Sequence, residues 1–228
     1  MKDRKILWFE PGYPKPAEPI LEWNWAYIAD HWVRVAAMVT LIFTGFYIHT
    51  PFIAGGPGST IMGTMRFLHF VAAYAFIIGL VIRVYLAFYS KFDADWKDFS
   101  IMGNLVNVPD ILMWYLFLKK EHKKYRKYNP LQAYAYLGVA FLMVLAAVTG
   151  FAIYHGKIFL LIDSQATFGW VNHMLGSESY TRIAHILIMW CFIVFMVIHV
   201  YLSWMNSAVK KDNSFTSIFT GYKLPVDH

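Results

Sequence analysis

The sequence predicts an all-α integral membrane protein, a four-helix transmembrane bundle with both termini on the cytoplasmic side. Three observations carry this expectation. The chain is 58% hydrophobic and only 15% charged, where a soluble domain is roughly 25% charged. Four apolar stretches are long enough to cross a bilayer. Basic residues gather in alternate connections between those stretches, as membrane topology demands.

No Asp, Glu, Lys or Arg occurs between Arg34 and Arg66, from Tyr128 to Gly156, or from Ile183 to Val209. The stretch from Phe67 to Ser90 carries a single charge, Arg83. A spanning helix needs about 20 mostly apolar residues. Helices are therefore expected at about 28–50, 66–90, 131–154 and 181–206. Pro51, with Gly55, Gly56, Pro57 and Gly58, stops the first. The polar, proline-rich start lacks the apolar core of a cleavable signal peptide. The chain thus divides into an N-terminal segment 1–27, a bundle domain 28–206 with a cytoplasmic link at 91–130, and a tail 207–228.

Orientation follows from the basic residues. The N-terminal segment holds Lys2, Arg4, Lys5 and Lys15, and the tail holds Lys210, Lys211 and Lys223. The central link holds Lys91, Lys97, Lys119, Lys120, Lys123, Lys124, Arg126 and Lys127. The other two connections are nearly free of basic residues until Arg66 and Arg182, Lys157 apart. These asymmetries place both termini and the central link inside, and they account for the net charge of +6 without nucleic acid. Val108–Leu118 is apolar but too short to span, so it is expected along the interface or under the bundle. One cysteine, Cys191, excludes an internal disulfide or an iron–sulfur cluster held by this chain alone.

The chemistry lies in histidines. His185 and His199, 14 residues apart on the fourth helix, share a face and sit about 21 Å apart along the axis, one near each side of the hydrocarbon. Histidine in a spanning segment is costly and faces the interior with a partner. A haem iron between two imidazoles is such a partner. With alternating helix directions, His69 on helix 2 lies level with His185, and His31 on helix 1 level with His199. The expectation is two non-covalently bound haem b groups, an outer one on His69/His185 and an inner one on His31/His199. The absence of C-x-x-C-H excludes a thioether link. His49, His122, His155, His173 and His228 sit where water reaches them and are read as non-ligands, with His49 the main competitor for the outer haem.

Arginines stand one helical turn from three of these histidines, as Arg66-x-x-His69, Arg182-x-x-His185 and His31-x-x-Arg34. Arg83 shares the face of His69 one bilayer depth further in. Arg34, Arg66, Arg83 and Arg182 are candidate partners of haem propionates, with snorkelling to headgroups as the alternative. Gly45, Gly79, Gly138 and Gly150 are read first as helix-packing residues, with one or two against a haem face.

Several segments then resemble the cytochrome b subunit of membrane-bound nickel–iron uptake hydrogenases. They are His31-Trp32 and Thr44-Gly45, MGTMRFLHF (62–70), YNPLQA (128–133), VTGFAIY (148–154), His185 to His199 with Val200-Tyr201, and Gly221-Tyr222-Lys223. The likeness spans roughly residues 23–225 and is poor over the first 22 residues and over 157–180. The spaced histidine pair of helix 4 also occurs in formate dehydrogenase membrane subunits, the alternative partner. The resemblance implies a multi-pass protein of the bacterial inner membrane. Its partners would be the large and small hydrogenase subunits at the periplasmic face, including the small subunit's C-terminal anchor helix. Electrons from H2 oxidation would enter at the outer haem, pass to the inner one and reduce a quinone, menaquinone or ubiquinone. Asn129 and Tyr201, neutral polar groups at the inner level, are candidates for a quinone carbonyl. The Asn129-Pro130 pair equally reads as a helix cap. Asp30 and Asp110 are candidates for proton delivery from the cytoplasm.

Overall fold

A computed structural model describes residues 18–53, 55–56, 58–89, 99, 104–119 and 128–224. Most of the basic residues on which the expected orientation rests, Lys2, Arg4, Lys5, Lys15, Lys91, Lys97, Lys120, Lys123, Lys124, Arg126 and Lys127, lie outside these, as do His122 and His228. The helices are α1 (Trp25–His49), α2 (Ile61–Tyr89), α3 (Val108–Tyr115), α4 (Pro130–Ala152), α5 (Ser164–Phe168), α6 (Trp170–Leu175), α7 (Glu178–Lys210) and α8 (Ser214–Thr220). Four of them, α1, α2, α4 and α7, are long and apolar enough to cross a membrane. They are the four expected spans, but α2 starts at Ile61 rather than 66 and α7 runs from Glu178 to Lys210 rather than 181–206. Hydropathy and charge mark where lipid begins, whereas a helix needs only its backbone ladder: α7 runs on to Glu178 and Lys210, and α2 takes in the uncharged residues 61–65 ahead of Arg66.

The chain separates into two compact units. The larger, Ala29–Ile198, is organised around Ala37 of α1, Ala72 and Phe76 of α2, Met143 of α4, and Ile188 and Phe192 of α7. Phe76 and Phe192 meet edge to face at 5.6 Å. Away from this core the helices remain apolar, with Val33, Phe67, Val81, Phe141 and Val197 all exposed. A helix apolar all round belongs in hydrocarbon.

The start of α4 is built by Asn129. Its Oδ1 accepts from the Gln132 backbone N–H at 2.9 Å, and the Asn129 N–H donates to Gln132 Oε1 at 3.0 Å, a reciprocal capping box with Pro130 as first helical residue. Asn129 Nδ2 also donates to the Tyr115 hydroxyl at 3.2 Å. That bond ties α3 to α4, and α3 turns Ile111 (0% exposed) and Trp114 inward. Within the apolar run 108–118, Val108–Tyr115 is therefore a short helix packed against α4. Asn129→Ala is expected to lower stability by about 1 kcal/mol, read as earlier thermal unfolding of the detergent-solubilised protein.

The C-terminal carbonyls of α4 lack helical partners and are met by side chains of the following connection. Ser164 Oγ donates to the Phe151 carbonyl at 2.7 Å, Gln165 Nε2 to those of Ala152 and Tyr154 at 2.8 and 3.0 Å, and Asn172 Nδ2 to Ala152 at 2.8 Å. Between them, β2 (Lys157–Ile158) and β3 (Ile162–Asp163) form a hairpin.

The other unit joins the described residues up to Ile28 to the described residues from His199 onward. Strand β1 (Ile20–Leu21) pairs antiparallel with β4 (Tyr222–Lys223). Trp23 Nε1 donates to Ser217 Oγ at 3.1 Å, and Glu22 and Lys223 form an ion pair at 2.9 Å. Gly221 ends α8 at φ +83°, and a side chain there would stand 3.0 Å from the Trp23 carbonyl. Glycine is needed on both counts.

Candidate functional site

His69 on α2 and His185 on α7 stand with ring centres 6.4 Å apart and planes inclined at 60°. Each is held by a threonine from a different helix: His69 Nδ1 lies 2.8 Å from Thr44 Oγ1 of α1, and His185 Nδ1 2.9 Å from Thr149 Oγ1 of α4. The proton positions follow from what else those hydroxyls touch. Thr44 Oγ1 is 2.7 Å from the Thr40 carbonyl, and Thr149 Oγ1 2.7 Å from the Leu145 carbonyl. A carbonyl only accepts, so the single hydroxyl proton is spent there. The imidazole Nδ1 must then be the donor to Oγ1. Both rings are thereby fixed as Nδ1–H tautomers, with the Nε2 lone pair left to bind a metal.

The residue after each threonine is glycine, and in both cases it faces the same ring. A Cβ on Gly45 would stand 3.6 Å from His69 Cε1, and one on Gly150 3.2 Å from His185 Cε1. The glycines thus make room for imidazole rings. Sequence reasoning met Thr44-Gly45 and VTGFAIY (148–154) only as segments of a family resemblance and gave the threonines no role. The available signal was a short repeat, TGFYI at 44–48 and TGFAI at 149–153, paired with Arg-x-x-His at 66–69 and 182–185.

The donor set suits haem iron. Imidazole nitrogen binds transition metals at about 2.0–2.1 Å. A spacing near 6.4 Å is about what two rings need when each takes one side of a single metal. Two neutral imidazoles are a short set for a bare divalent ion, which takes four or more donors. Among the described residues no group of three or more His, Cys, Asp or Glu is placed to hold one. A macrocycle brings its own nitrogens and needs only axial ligands.

The remaining sequence candidates are placed as follows. His31 on α1 is half-buried, edge-on to Trp32 at 5.3 Å. One residue before it, buried Asp30 pairs with Arg34, one α-helical turn on (Nε 2.9 Å, Nη2 2.6 Å). Gly79 of α2 accommodates this pair, since a Cβ there would fall 2.5 Å from Arg34 Cγ. His199 is half-buried on α7. Arg66 is exposed, and Arg182 bonds Glu178 one turn back. Arg83 donates to the Tyr128 hydroxyl at 3.4 Å and lies 5.8 Å from the centre of the Phe99 ring. Asn129 serves as the α4 cap, and the Tyr201 phenol is 55% exposed. Asp110 pairs with Lys119. His49, His155 and His173 are exposed, and His155 bonds Glu178 at 2.9 Å.

The family described as prokaryotic cytochrome b561 matches residues 22–221. The chain belongs to that family. The match takes in all four histidines and both Thr-Gly pairs. Three relatives illustrate it. The probable Ni/Fe-hydrogenase B-type cytochrome subunit of Cupriavidus necator is 34% identical over 202 residues, covering 85% of this chain and 82% of its own. The protein of the same description from Azotobacter vinelandii is 31% identical over 215 residues (85% and 84%). The probable Ni/Fe-hydrogenase 1 B-type cytochrome subunit of Escherichia coli K12 is 26% identical over 205 residues (85% and 86%). With four spans, this member of the b561 family is a multi-pass protein of the bacterial inner membrane.

Proposed function

We propose that this chain is the dihaem cytochrome b subunit of a periplasmic nickel–iron hydrogenase, passing electrons from H2 oxidation across the membrane to quinone. The observation that supports it most is the His69/His185 pair, with both Nδ1 protons committed to threonine and ring centres 6.4 Å apart. The descriptions of the relatives support the choice of partner. On the orientation derived from charge, this pair faces the periplasm, where a docked small subunit would deliver electrons.

When bound, haem b supplies an iron centre that takes and gives one electron at a time. The chain's own residues do the rest. His69 and His185 provide Nε2, Thr44 and Thr149 hold the rings in register, and Phe76, Met143 and Phe192 keep water from the bundle interior. The second haem is assigned to His31 and His199 by their depth in the sequence-derived topology. Arg66 and Arg182 are assigned to the outer propionates, Arg34 and Arg83 to the inner. The quinone is assigned to the inner level, with the Tyr201 phenol open to lipid and the Asn129 amide retaining one hydrogen beyond its bond to Tyr115.

Purification of the complex from membranes tests the reading. Two haem b per chain, both reduced by H2, and H2-dependent reduction of menaquinone or ubiquinone are the expected results. A preparation without reducible b-type bands defeats the haem assignment, and bands that respond to formate but not to H2 replace the hydrogenase by a formate dehydrogenase.

A further inference from the structure

We propose that Thr44 and Thr149 are positioning residues that set the electron-donating strength of His69 and His185, and with it the midpoint potential of the haem these hold. The inference rests on the haem assignment above and concerns residues to which that assignment gives no redox role. An imidazole that donates its Nδ1 proton in a hydrogen bond becomes a more basic ligand at Nε2, and a more basic ligand favours the oxidised, more positive iron.

The acceptor here has a defined and intermediate strength. A carboxylate would draw the proton strongly, and an apolar contact would not draw it at all. A threonine hydroxyl lies between, and each of these hydroxyls is polarised further by donating its own proton to a helix carbonyl at 2.7 Å. The two bonds are nearly equal, 2.8 and 2.9 Å, so both axial ligands are tuned alike. His69 and His185 lie against Gly45 and Gly150, which bring no side-chain acceptor to either ring, and each Nδ1 reaches a hydroxyl from a helix other than its own. At His185 the Ala146 carbonyl is a second acceptor beside the ring, so removing the Thr149 hydroxyl leaves that ring a partial substitute.

The experiment uses the intact complex with Thr44→Val, Thr149→Val, the matching Ser variants, and Thr40→Val. Thr40 is a control on α1 whose hydroxyl bonds the Ala36 carbonyl. Potentiometric titration of the α-bands, with haem quantification and the electron paramagnetic resonance of the ferric state, gives the readout. His185→Ala identifies which titration step belongs to the tuned haem. Thr44→Val is expected to shift that haem's oxidised/reduced equilibrium about tenfold toward the reduced form, a rise of about 59 mV for one electron, and Thr149→Val to shift it the same way by less, because the Ala146 carbonyl also meets His185. The Ser variants and Thr40→Val titrate with wild type. Loss of that haem in the Val variants with retention in the Ser variants supports the same hydroxyl role. Loss in Val and Ser variants alike makes the role steric and overturns the proposal. So does an unmoved potential at full haem content, which leaves the haem assignment standing. A wild-type complex without b-type bands overturns the haem assignment itself, and this inference with it.

Discussion

A complex carrying His185→Ala is expected to contain one haem per chain in place of two, with the remaining haem titrating as in wild type. One imidazole on an iron built for two leaves an open axial position, and the Thr149 hydroxyl at 2.9 Å from Nδ1 has no ring left to hold. His69→Ala should give the same single-haem spectrum, because the two rings share one site. His199→Ala should instead remove the other haem and leave the Thr44/Thr149 site intact. In all three variants H2-driven quinone reduction is expected to fall by at least about 100-fold, the upper end of what a metal site loses with a mere supporting residue. Haem-to-protein ratio and redox titration on the same sample provide the check. Two haems per chain in any of them, or a His69→Ala spectrum unlike that of His185→Ala, would sink the pairing.

Parts of this architecture were open to inspection in the sequence for simple reasons. Long runs without charge can only be spans in a chain this apolar, so α1, α2, α4 and α7 were legible as elements. The N-cap at Asn129 was legible from Asn-Pro spacing alone, and the approach of His69 to His185 from their matching depth on helices of opposite direction. What escaped had no local signature. The ends of α2 and α7 escaped because apolarity reports the bilayer and not the helix. The hairpin at 157–163 escaped because its turn places Phe159 and Leu160 at φ of 50° and 64°, where Gly or Asn normally announces the turn. Arg83 finds Tyr128 and Phe99 across a long separation in sequence that spacing could not reveal. Thr44 and Thr149 read as ordinary helix threonines bonding back to the preceding turn. Their role depends on which histidine of which other helix meets them, and that is tertiary information. Only the recurrence of Thr-Gly-Phe on two helices hinted at it.

Glycine 150 offers the sharpest steric test of the site. A Cβ there would stand 3.2 Å from His185 Cε1, and the ring cannot retreat without breaking its bond to Thr149, the neighbouring residue on the same helix. At Gly45 the equivalent distance is 3.6 Å, with the flexible thioether of Met189 at 3.4 Å as the other neighbour. Alanine is favoured over glycine inside a helix by about 1 kcal/mol, so a loss at Gly150→Ala cannot be blamed on the helix. Gly150→Val is expected to push His185 off the iron and halve the haem content, with quinone turnover down at least about 10-fold. Gly150→Ala should keep the haem but alter its ferric resonance and potential, and Gly45→Ala should do so less. Gly138→Val on the same α4 helix, where nothing lies within 4 Å of the added carbon, controls for the β-branched residue and should match wild type. If Gly138→Val loses as much haem as Gly150→Val, crowding of the imidazole is not the cause. If Gly150→Val keeps two haems at wild-type potentials, the ring does not occupy the cradle that Thr149 and Gly150 form.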